Sequence, residues 1–184
     1  MPNPIHEATR QQWDDRSRQW EERGDRCGLW QRCAVDPGLV LIPQELQFLK
    51  GIAGKKVCVL GSGDNQVVFA LAGLGATVTS VDISEAQLAV ARKRAAKLNL
   101  CVTFLRADVT DLRELPNDGF DLVYTGGHVA VWVSNLEPYY REAVRILKPG
   151  GLFMVNEYHP FRRLWQDSPR LPETGVQLLQ PGSP

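Results

Sequence analysis

The sequence predicts an α/β fold, a three-layer α/β/α sandwich around a mostly parallel sheet. Short apolar runs rich in β-branched residues alternate with helical segments from Lys56 to Asn156. Capping residues and glycines bound those helical segments. The chain has 184 residues, 43% of them apolar, which suits one domain with a substantial core. Strands joined through helices in one sheet run parallel, with right-handed crossovers.

The segment before this alternation is predicted to be helical at both ends. A first helix spans Ile5–Arg23, Gly24–Pro43 is irregular, and Gln44–Ile52 forms a short helix. Trp13 and Trp20 lie seven residues apart and therefore share one helix face. This face forms a lid over a ligand or packs on the core as an accessory helix, and the two roles are compatible.

The alternation itself contains five predicted strands and three helices. The strands are Lys56–Leu60, Thr77–Val81, Val102–Arg106, Phe120–Tyr124 and Leu152–Asn156. The helices are Asn65–Leu74, Ser84–Leu98 and Leu136–Leu147. Ser84 and Gln87 predict a capping box, and Lys148–Gly151 predicts the stop of the last helix. The expected strand order is 3-2-1-4-5.

Composition argues against several classes of protein. Lys plus Arg and Asp plus Glu number 21 each, so no basic excess indicates binding to nucleic acid. The N-terminus, Met1 to Trp20, has no apolar run of signal-peptide type, and no stretch of the sequence approaches the length of a membrane helix. The cysteines form no C-x-x-C pair, which favours buried free thiols over disulfides or a metal site; they are Cys27, Cys33, Cys58 and Cys101. We expect a cytoplasmic protein without a metal.

The residues that follow each strand carry the chemistry, because ligands bind beyond the carboxyl ends of parallel strands. The first strand ends in Gly61-Ser62-Gly63, which permits a tight turn and close approach of a ligand to the backbone. The alternative is an ordinary strand-to-helix turn in which Asp64 caps the helix.

Acidic residues follow the next two strands. Asp82 comes roughly 20 residues after the glycines, the spacing at which an acid meets ribose hydroxyls. Its alternative role is to start the following helix. Asp108 is placed to accept a hydrogen bond from an adenine amino group, or else is a turn residue.

The order of Gly61-Ser62-Gly63, Asp82, Asp108, Phe120–Tyr124 and Arg145–Gly151 resembles class I S-adenosylmethionine-dependent methyltransferases. The resemblance covers about Lys55 to Asn156 and implies a Rossmann-like fold with S-adenosyl-L-methionine as cofactor. It implies that the glycine turn meets the methionine part, that Asp82 meets ribose and that Asp108 with Val109 meets adenine. The full set of implied cofactor-binding residues is Gly61, Ser62, Gly63, Asp82, Ile83, Asp108, Val109, Thr125 and Gly126.

Two positions depart from the family pattern. Val59 stands where the family often has an acid, and Asn65 replaces the third glycine. These departures concern the contact to the amino group of the cofactor. They also disfavour a nicotinamide fingerprint, whose third glycine would fall at Gln66.

Candidates for catalysis follow the fourth and fifth strands. His128 is either a general base or a hydrogen-bonded structural residue, and His159 is a second candidate base. Glu157 also emerges at this edge. Arg162 and Arg163 either hold an anionic acceptor or form a solvated face.

The last 18 residues predict no strand. The sequence divides into a helical cap over 1–52, a cofactor-binding domain over 53–166 and a proline-rich tail over 167–184. Proline cannot donate to a central ladder, so the C-terminal hairpin typical of the family is apparently missing and the chain is expected to be truncated. An uncovered fifth strand is expected to lead either to a homodimer across that edge or to poor solubility.

The function predicted from these observations is transfer of a methyl group to a small-molecule acceptor, with neither nucleic acid nor membrane as partner. A non-catalytic S-adenosylmethionine-binding or interaction domain is the alternative, and an NAD-dependent oxidoreductase is a third.

Overall fold

The computed structural model describes residues 3–63, 66–126 and 129–157. Its α-helices are α1 (Pro4–Cys27), α2 (Pro43–Phe48), α3 (Gln66–Gly73), α4 (Glu85–Lys97) and α5 (Leu136–Ile146). Its strands are β1 (Lys56–Leu60), β2 (Thr77–Asp82), β3 (Val102–Arg106), β4 (Phe120–Gly126) and β5 (Leu147–Asn156). Three 3₁₀ turns lie at Leu29–Gln31, Pro37–Leu39 and Ala130–Trp132.

The described strands form one sheet in the order β3-β2-β1-β4-β5, and every neighbouring pair is parallel. The predicted strand order and fold class are therefore confirmed. The order reverses between β1, which is paired to β2 on one side, and β4 on the other. A crevice at the carboxyl ends of the strands is expected at this switch point.

Side chains of the central strands alternate between two apolar layers. Val57 and Val59 of β1 pack in a layer with residues of α3 and α4, whereas Cys58 and Leu60 pack in the layer that contains α5. This alternation buries both faces of the sheet, as expected for strands covered by helices on each side.

The long helix α1 is fastened to α4 by a buried arginine. Arg94 is 2% exposed, and its Nη2 donates hydrogen bonds of 3.0 Å to Asp25 Oδ1 and to the carbonyl oxygen of Glu21. Its guanidinium also lies 5.3 Å from the ring centroid of Trp30. These contacts fix the C-terminal half of α1 on the domain.

The predicted break at Gly24 is wrong, because α1 continues to Cys27 and ends at Gly28, whose φ of 69° is left-handed. The reason is a tertiary contact. A Cβ at residue 24 would stand 2.7 Å from Arg94 Nη2. A glycine is therefore needed at this position of α1, because it leaves space for the guanidinium of Arg94 from α4. The segment that follows is also more ordered than predicted, since it contains two 3₁₀ turns.

The predicted end of the last helix before Lys148 is confirmed, since α5 ends at Ile146, but Lys148–Gly151 form a bulge within β5 rather than a turn before it. Leu147 pairs with Phe120, and the next pair is Leu152 with Leu122, so four residues of β5 oppose one of β4. Lys148 Nζ donates to Asp121 Oδ1 at 2.8 Å across the bulge. Pairing to β4 therefore decides the structure of a segment that reads locally as a turn.

The helix predicted over Gln44–Ile52 ends four residues earlier in the structure, because α2 ends at Phe48. Its buried Glu45 accepts a hydrogen bond of 2.7 Å from the Tyr124 hydroxyl and one of 2.9 Å from Asn156 Nδ2. This polar contact joins α2 to β4 and β5.

All four cysteines have free thiols, but the prediction that they are buried holds for only two of them. Cys33 and Cys58 are buried, whereas Cys27 and Cys101 are exposed. Cys101 lies just before β3 rather than inside it, which explains its exposure. Burial raises the pKa of the Cys33 thiol to about 11, so this thiol is a packing group rather than a nucleophile.

We predict that Gly73→Ala destabilises the protein although alanine normally favours helix. A Cβ at residue 73 would overlap the backbone carbonyl of Ala34. Overpacking of this kind costs about 1–3 kcal/mol, which chemical denaturation measures as a lower free energy of unfolding. Gly38→Ala is the matched control, because its Cβ would lie 3.5 Å from its nearest neighbour. Equal stability of the two variants would contradict the prediction.

Candidate functional site

A cavity of about 560 Å³ lies where the carboxyl ends of β1, β2 and β3 meet α1. Its size is that of a typical small-molecule site. Seven of the nine predicted cofactor-binding residues line it, namely Gly61, Ser62, Gly63, Asp82, Ile83, Asp108 and Val109. The structure thus brings together residues from the ends of three strands.

The glycine turn after β1 forms the floor of the cavity. Gly61 and Gly63 have φ values of +59° and +51°, which favour glycine. A Cβ at Gly61 would lie 2.7 Å from Val129 Cγ2, whereas one at Gly63 would find its nearest neighbour at 3.6 Å. Gly61 is therefore constrained by packing, whereas Gly63 is constrained mainly by its left-handed backbone.

Asp82 holds two turns of the site together. Its Oδ2 accepts a hydrogen bond of 2.7 Å from Gly63 N, and its Oδ1 accepts one of 2.8 Å from Ser84 N. Burial raises the pKa of the Asp82 carboxyl to about 6, against the opposing effect of these backbone donors and that of Ile83. The carboxylate thus braces the start of α4, while its ribose contact remains a prediction.

The predicted capping box at the start of α4 forms only in part. Ser84 Oγ accepts from Gln87 N at 3.1 Å, as expected. The reciprocal hydrogen bond of a capping box, from Ser84 N to the Gln87 side chain, is absent because Ser84 N donates to Asp82 Oδ1 instead. The Gln87 side chain instead lines the cavity.

Asp108 is bonded to α1 and to its own turn. Its Oδ2 lies 2.6 Å from Nδ1 of the buried His6, and its Oδ1 accepts from Thr110 N and Thr110 Oγ1. His6 Nε2 lies 3.1 Å from Ser134 N. Because a backbone N–H only donates, Nε2 is the acceptor, and the Nδ1 hydrogen points to Asp108.

A second contact holds the middle of α1 over the site. Ser84 Oγ donates to Asp14 Oδ1 at 2.6 Å, and Ala86 N donates to the same oxygen at 3.3 Å. Together with His6 and the buried Arg94, this contact makes α1 a roof over the carboxyl edge of the sheet.

Three tryptophan side chains line the cavity on the side of α1. Trp13 packs edge-on against Trp132 with ring centroids 5.2 Å apart, and its centroid lies 6.1 Å from that of Trp20. The shared face predicted for Trp13 and Trp20 therefore points into the site.

The remaining candidates do not meet in the cavity. Thr125 is fully buried, accepts a hydrogen bond of 2.7 Å from the Tyr139 hydroxyl and is not among the residues that line the cavity. Gly126 pairs with Asn156 at the end of β4, and its predicted role stays a prediction. Glu157 Oε1 accepts from Ala130 N at 3.1 Å.

Several predicted residues lie outside the described part of the chain. They are the candidate bases His128 and His159, the pair Arg162 and Arg163, Asp64 and Asn65 of the glycine turn, and the tail over 167–184. Their predicted roles stay predictions.

Sequence reasoning missed His6 and Gln87 as site residues. A signal for His6 exists, because it precedes Trp13 by seven residues and so shares the face of the two tryptophans. The sequence predicts a capping role for Gln87, and the structure shows instead that Ser84 N donates to Asp82, so the Gln87 side chain does not cap the helix.

The family model described as "Methyltransferase domain" matches residues 58–155, more than half of the chain. A demethylmenaquinone methyltransferase of Thermus thermophilus is 32% identical over 71% of this chain and 54% of its own length. A ubiquinone biosynthesis O-methyltransferase of Pseudomonas savastanoi is 35% identical over 55% of this chain and 43% of its own length.

Among solved structures, an S-adenosylmethionine-dependent methyltransferase from Mesorhizobium loti superposes with a TM-score of 0.57 and 32% identity. The match covers 65% of this chain and 54% of the other. The chain spans about half the length of the curated relatives it matches.

We predict that His6→Ala lowers the free energy of unfolding by about 1–3 kcal/mol, because it leaves Asp108 without a buried partner. Urea denaturation measures the change. Arg18→Ala, which removes an ion pair from the exposed side of the same helix, is the control and should cost under about 0.5 kcal/mol. Equal effects of the two variants would show that His6 does not fasten α1.

Proposed function

This chain belongs to the class I S-adenosylmethionine-dependent methyltransferase family, and from this premise we propose that it transfers a methyl group to a small-molecule acceptor. The observation that carries the proposal is the convergence of Gly61–Gly63, Asp82 and Asp108 on one cavity. These are the residues that the family resemblance assigns to the three parts of S-adenosylmethionine.

The residues present fit that cofactor. Gly63 lines the cavity without a side chain of its own, so an extended group can approach its backbone. Asp82 supplies a buried carboxylate for hydroxyl donors, and a buried acid of this kind is stabilised by further donors. Val109 adds a buried apolar surface suited to a flat base. We assign the methionine part to Gly61–Gly63, the ribose to Asp82 and Ile83, and the adenine to Asp108 and Val109.

S-adenosylmethionine, when bound, supplies a methyl group already activated by its sulfonium. The task of the chain is then to bind, orient and exclude water. Trp13 and Trp20 of α1 line the cavity, and apolar surface of this kind beside a bound ligand displaces water. Such a site needs no protein nucleophile.

The lining of the cavity favours an acceptor without strong negative charge. Val129, Trp132 and Val133 contribute apolar surface, and no Lys or Arg is among the described residues that line the cavity. Phosphate groups of a nucleic acid normally meet such cations. The relatives named for menaquinone and ubiquinone biosynthesis support a small organic acceptor.

Three further expectations stay predictions: a cytoplasmic location, a homodimer across β5 and the absence of a nucleic-acid partner. In the described part of the chain, no helix combines the length and apolarity needed to span a membrane.

The proposed function is tested by isothermal titration with S-adenosylhomocysteine and, separately, with NAD. We expect binding of the first and none of the second. Methyl transfer to small apolar acceptors then separates an enzyme from a domain that only binds the cofactor. Binding of NAD instead of S-adenosylhomocysteine would overturn the proposal.

We predict that the affinity for S-adenosylhomocysteine falls as the pH drops through about 6, the pKa to which burial raises Asp82. Ribose hydroxyls donate to the ionised carboxylate, so binding favours the form present above this pH. The loss approaches tenfold per pH unit below the midpoint. Titrations at several pH values measure it.

Asp82→Asn is the control for this pH dependence. This substitution removes the titrating group. The variant should bind S-adenosylhomocysteine more weakly near neutral pH, by about 1–3 kcal/mol, and its affinity should hardly change with pH around pH 6. An unchanged pH profile in a folded Asp82→Asn variant would assign the dependence to another group.

A further inference from the structure

We propose that Trp13, Trp20 and Trp132 form a cation–π site for an organic ammonium group, so that the methyl acceptor of this chain is a small amine. This assignment rests on the proposed function, since it names the class of acceptor for the same cavity. It gives a binding role to three side chains of the cavity lining that the family resemblance leaves without one.

The three indoles are inclined to one another. The plane of Trp13 makes an angle of 39° with that of Trp20 and of 69° with that of Trp132, and the ring centroids are 6.1 and 5.2 Å apart. Rings inclined in this way cannot all stack on one flat ligand, whereas a compact group can contact several of them. Inclined aromatic rings of this kind hold quaternary ammonium ligands in other proteins.

The indoles keep surface that a ligand can contact. Trp20 is 36% exposed, and Trp13 and Trp132 are half-buried, whereas Trp30 in the core is only 4% exposed. The guanidinium of Arg23 lies 5.3 Å from the ring centroid of Trp20. This arginine is not among the residues that line the cavity, so it supplies no positive charge to the lining.

The charged groups of the lining are acidic. Asp82 and Asp108 are carboxylates, and none of the described residues that line the cavity is Lys or Arg. His6 is neutral, because its Nε2 accepts from the backbone N–H of Ser134 and only its Nδ1 carries a proton. Burial raises the pKa of Asp82 to about 6, which leaves this carboxyl mostly ionised at neutral pH. Carboxylates and indole faces both attract a cation and repel an anion.

This charge distribution distinguishes two classes of methyl transfer. Transfer to an oxyanion consumes a negative charge, which needs a cation or preorganised donors in the site beforehand. Transfer to an amine begins with the free base, whose proton has passed to water. The nitrogen lone pair forms the N–C bond while the S–C bond breaks and leaves its electron pair on sulfur, so the positive charge moves from sulfur to nitrogen. The acidic and aromatic lining stabilises that retained charge and therefore fits an amine.

The test uses choline as a quaternary ammonium probe and 3,3-dimethyl-1-butanol as a probe of the same shape without the charge. Each is titrated calorimetrically into protein saturated with S-adenosylhomocysteine. We expect choline to bind about tenfold more tightly than the alcohol, as contacts with desolvated rings give. Equal affinity of the two probes, or binding of neither, overturns the assignment. Binding of choline only to the cofactor-free protein also overturns it, because the cation then takes the place of the cofactor.

Two variants separate an aromatic face from simple bulk. Trp13 packs against both other indoles, so Trp13→Leu should lower the affinity for choline about tenfold and leave that for the alcohol unchanged. Trp13→Phe keeps a ring and should lose less. Phe48→Leu is the control, because it removes an aromatic side chain that is 69% exposed on α2 and outside the cavity lining; it should bind choline as the unsubstituted protein does.

Thermal unfolding checks that each variant is folded, and Trp132→Leu serves as a second variant if Trp13→Leu is not. Unchanged affinity for choline in a folded leucine variant overturns the assignment. A variant that binds S-adenosylmethionine more weakly but choline normally would place the indoles at the sulfonium and overturn it as well. With S-adenosylhomocysteine still bound, these outcomes leave the proposed function standing. Failure of the unsubstituted protein to bind S-adenosylhomocysteine overturns both.

Discussion

The site depends on one carboxylate that ties two turns together. Asp82 accepts from Gly63 N after β1 and from Ser84 N before α4. Parallel neighbours such as β1 and β2 bring their carboxyl ends to the same edge, and this acid then fixes the distance between the turns that follow them. The glycine turn is therefore held open toward the cavity, and Gln87 is freed from capping. The raised pKa of Asp82 shows that burial outweighs these backbone donors.

Helix α1 is organised by the same kind of contact. Asp108 holds His6 at its N-terminal end, Asp14 meets the start of α4, and Asp25 meets Arg94 near its C-terminal end. Because these attachments lie along one long helix, the tryptophans between them are positioned over the strand ends. Helix α1 is thus attached to the domain by polar contacts at intervals and by aromatic contacts between them, rather than by a continuous apolar face.

Most of the sheet was predictable from the sequence, because short runs such as Thr77–Asp82 are β-branched and their helices have local caps. The error at Gly24 and the bulge that was not predicted at Lys148–Gly151 share a cause, since in both a long-range contact overrides a local turn signal. The glycine turn and Asp82 were predictable as site residues from spacing. The partner of Asp108 was not, because His6 is 102 residues away and only packing of α1 on the sheet brings the two together.

Asp108 makes contacts within the fold through both carboxylate oxygens and keeps the capacity to accept a further hydrogen bond. Its Oδ1 accepts two hydrogen bonds from Thr110, which matches the two lone pairs of that oxygen. From the described residues its Oδ2 accepts only the one from His6, so a second lone pair remains. A single additional N–H, such as that of an amino group on a base, fits this acceptor without displacing the helix. The contact to His6 also fixes the direction of the carboxylate, so the residue that fastens the roof also orients the predicted adenine acceptor.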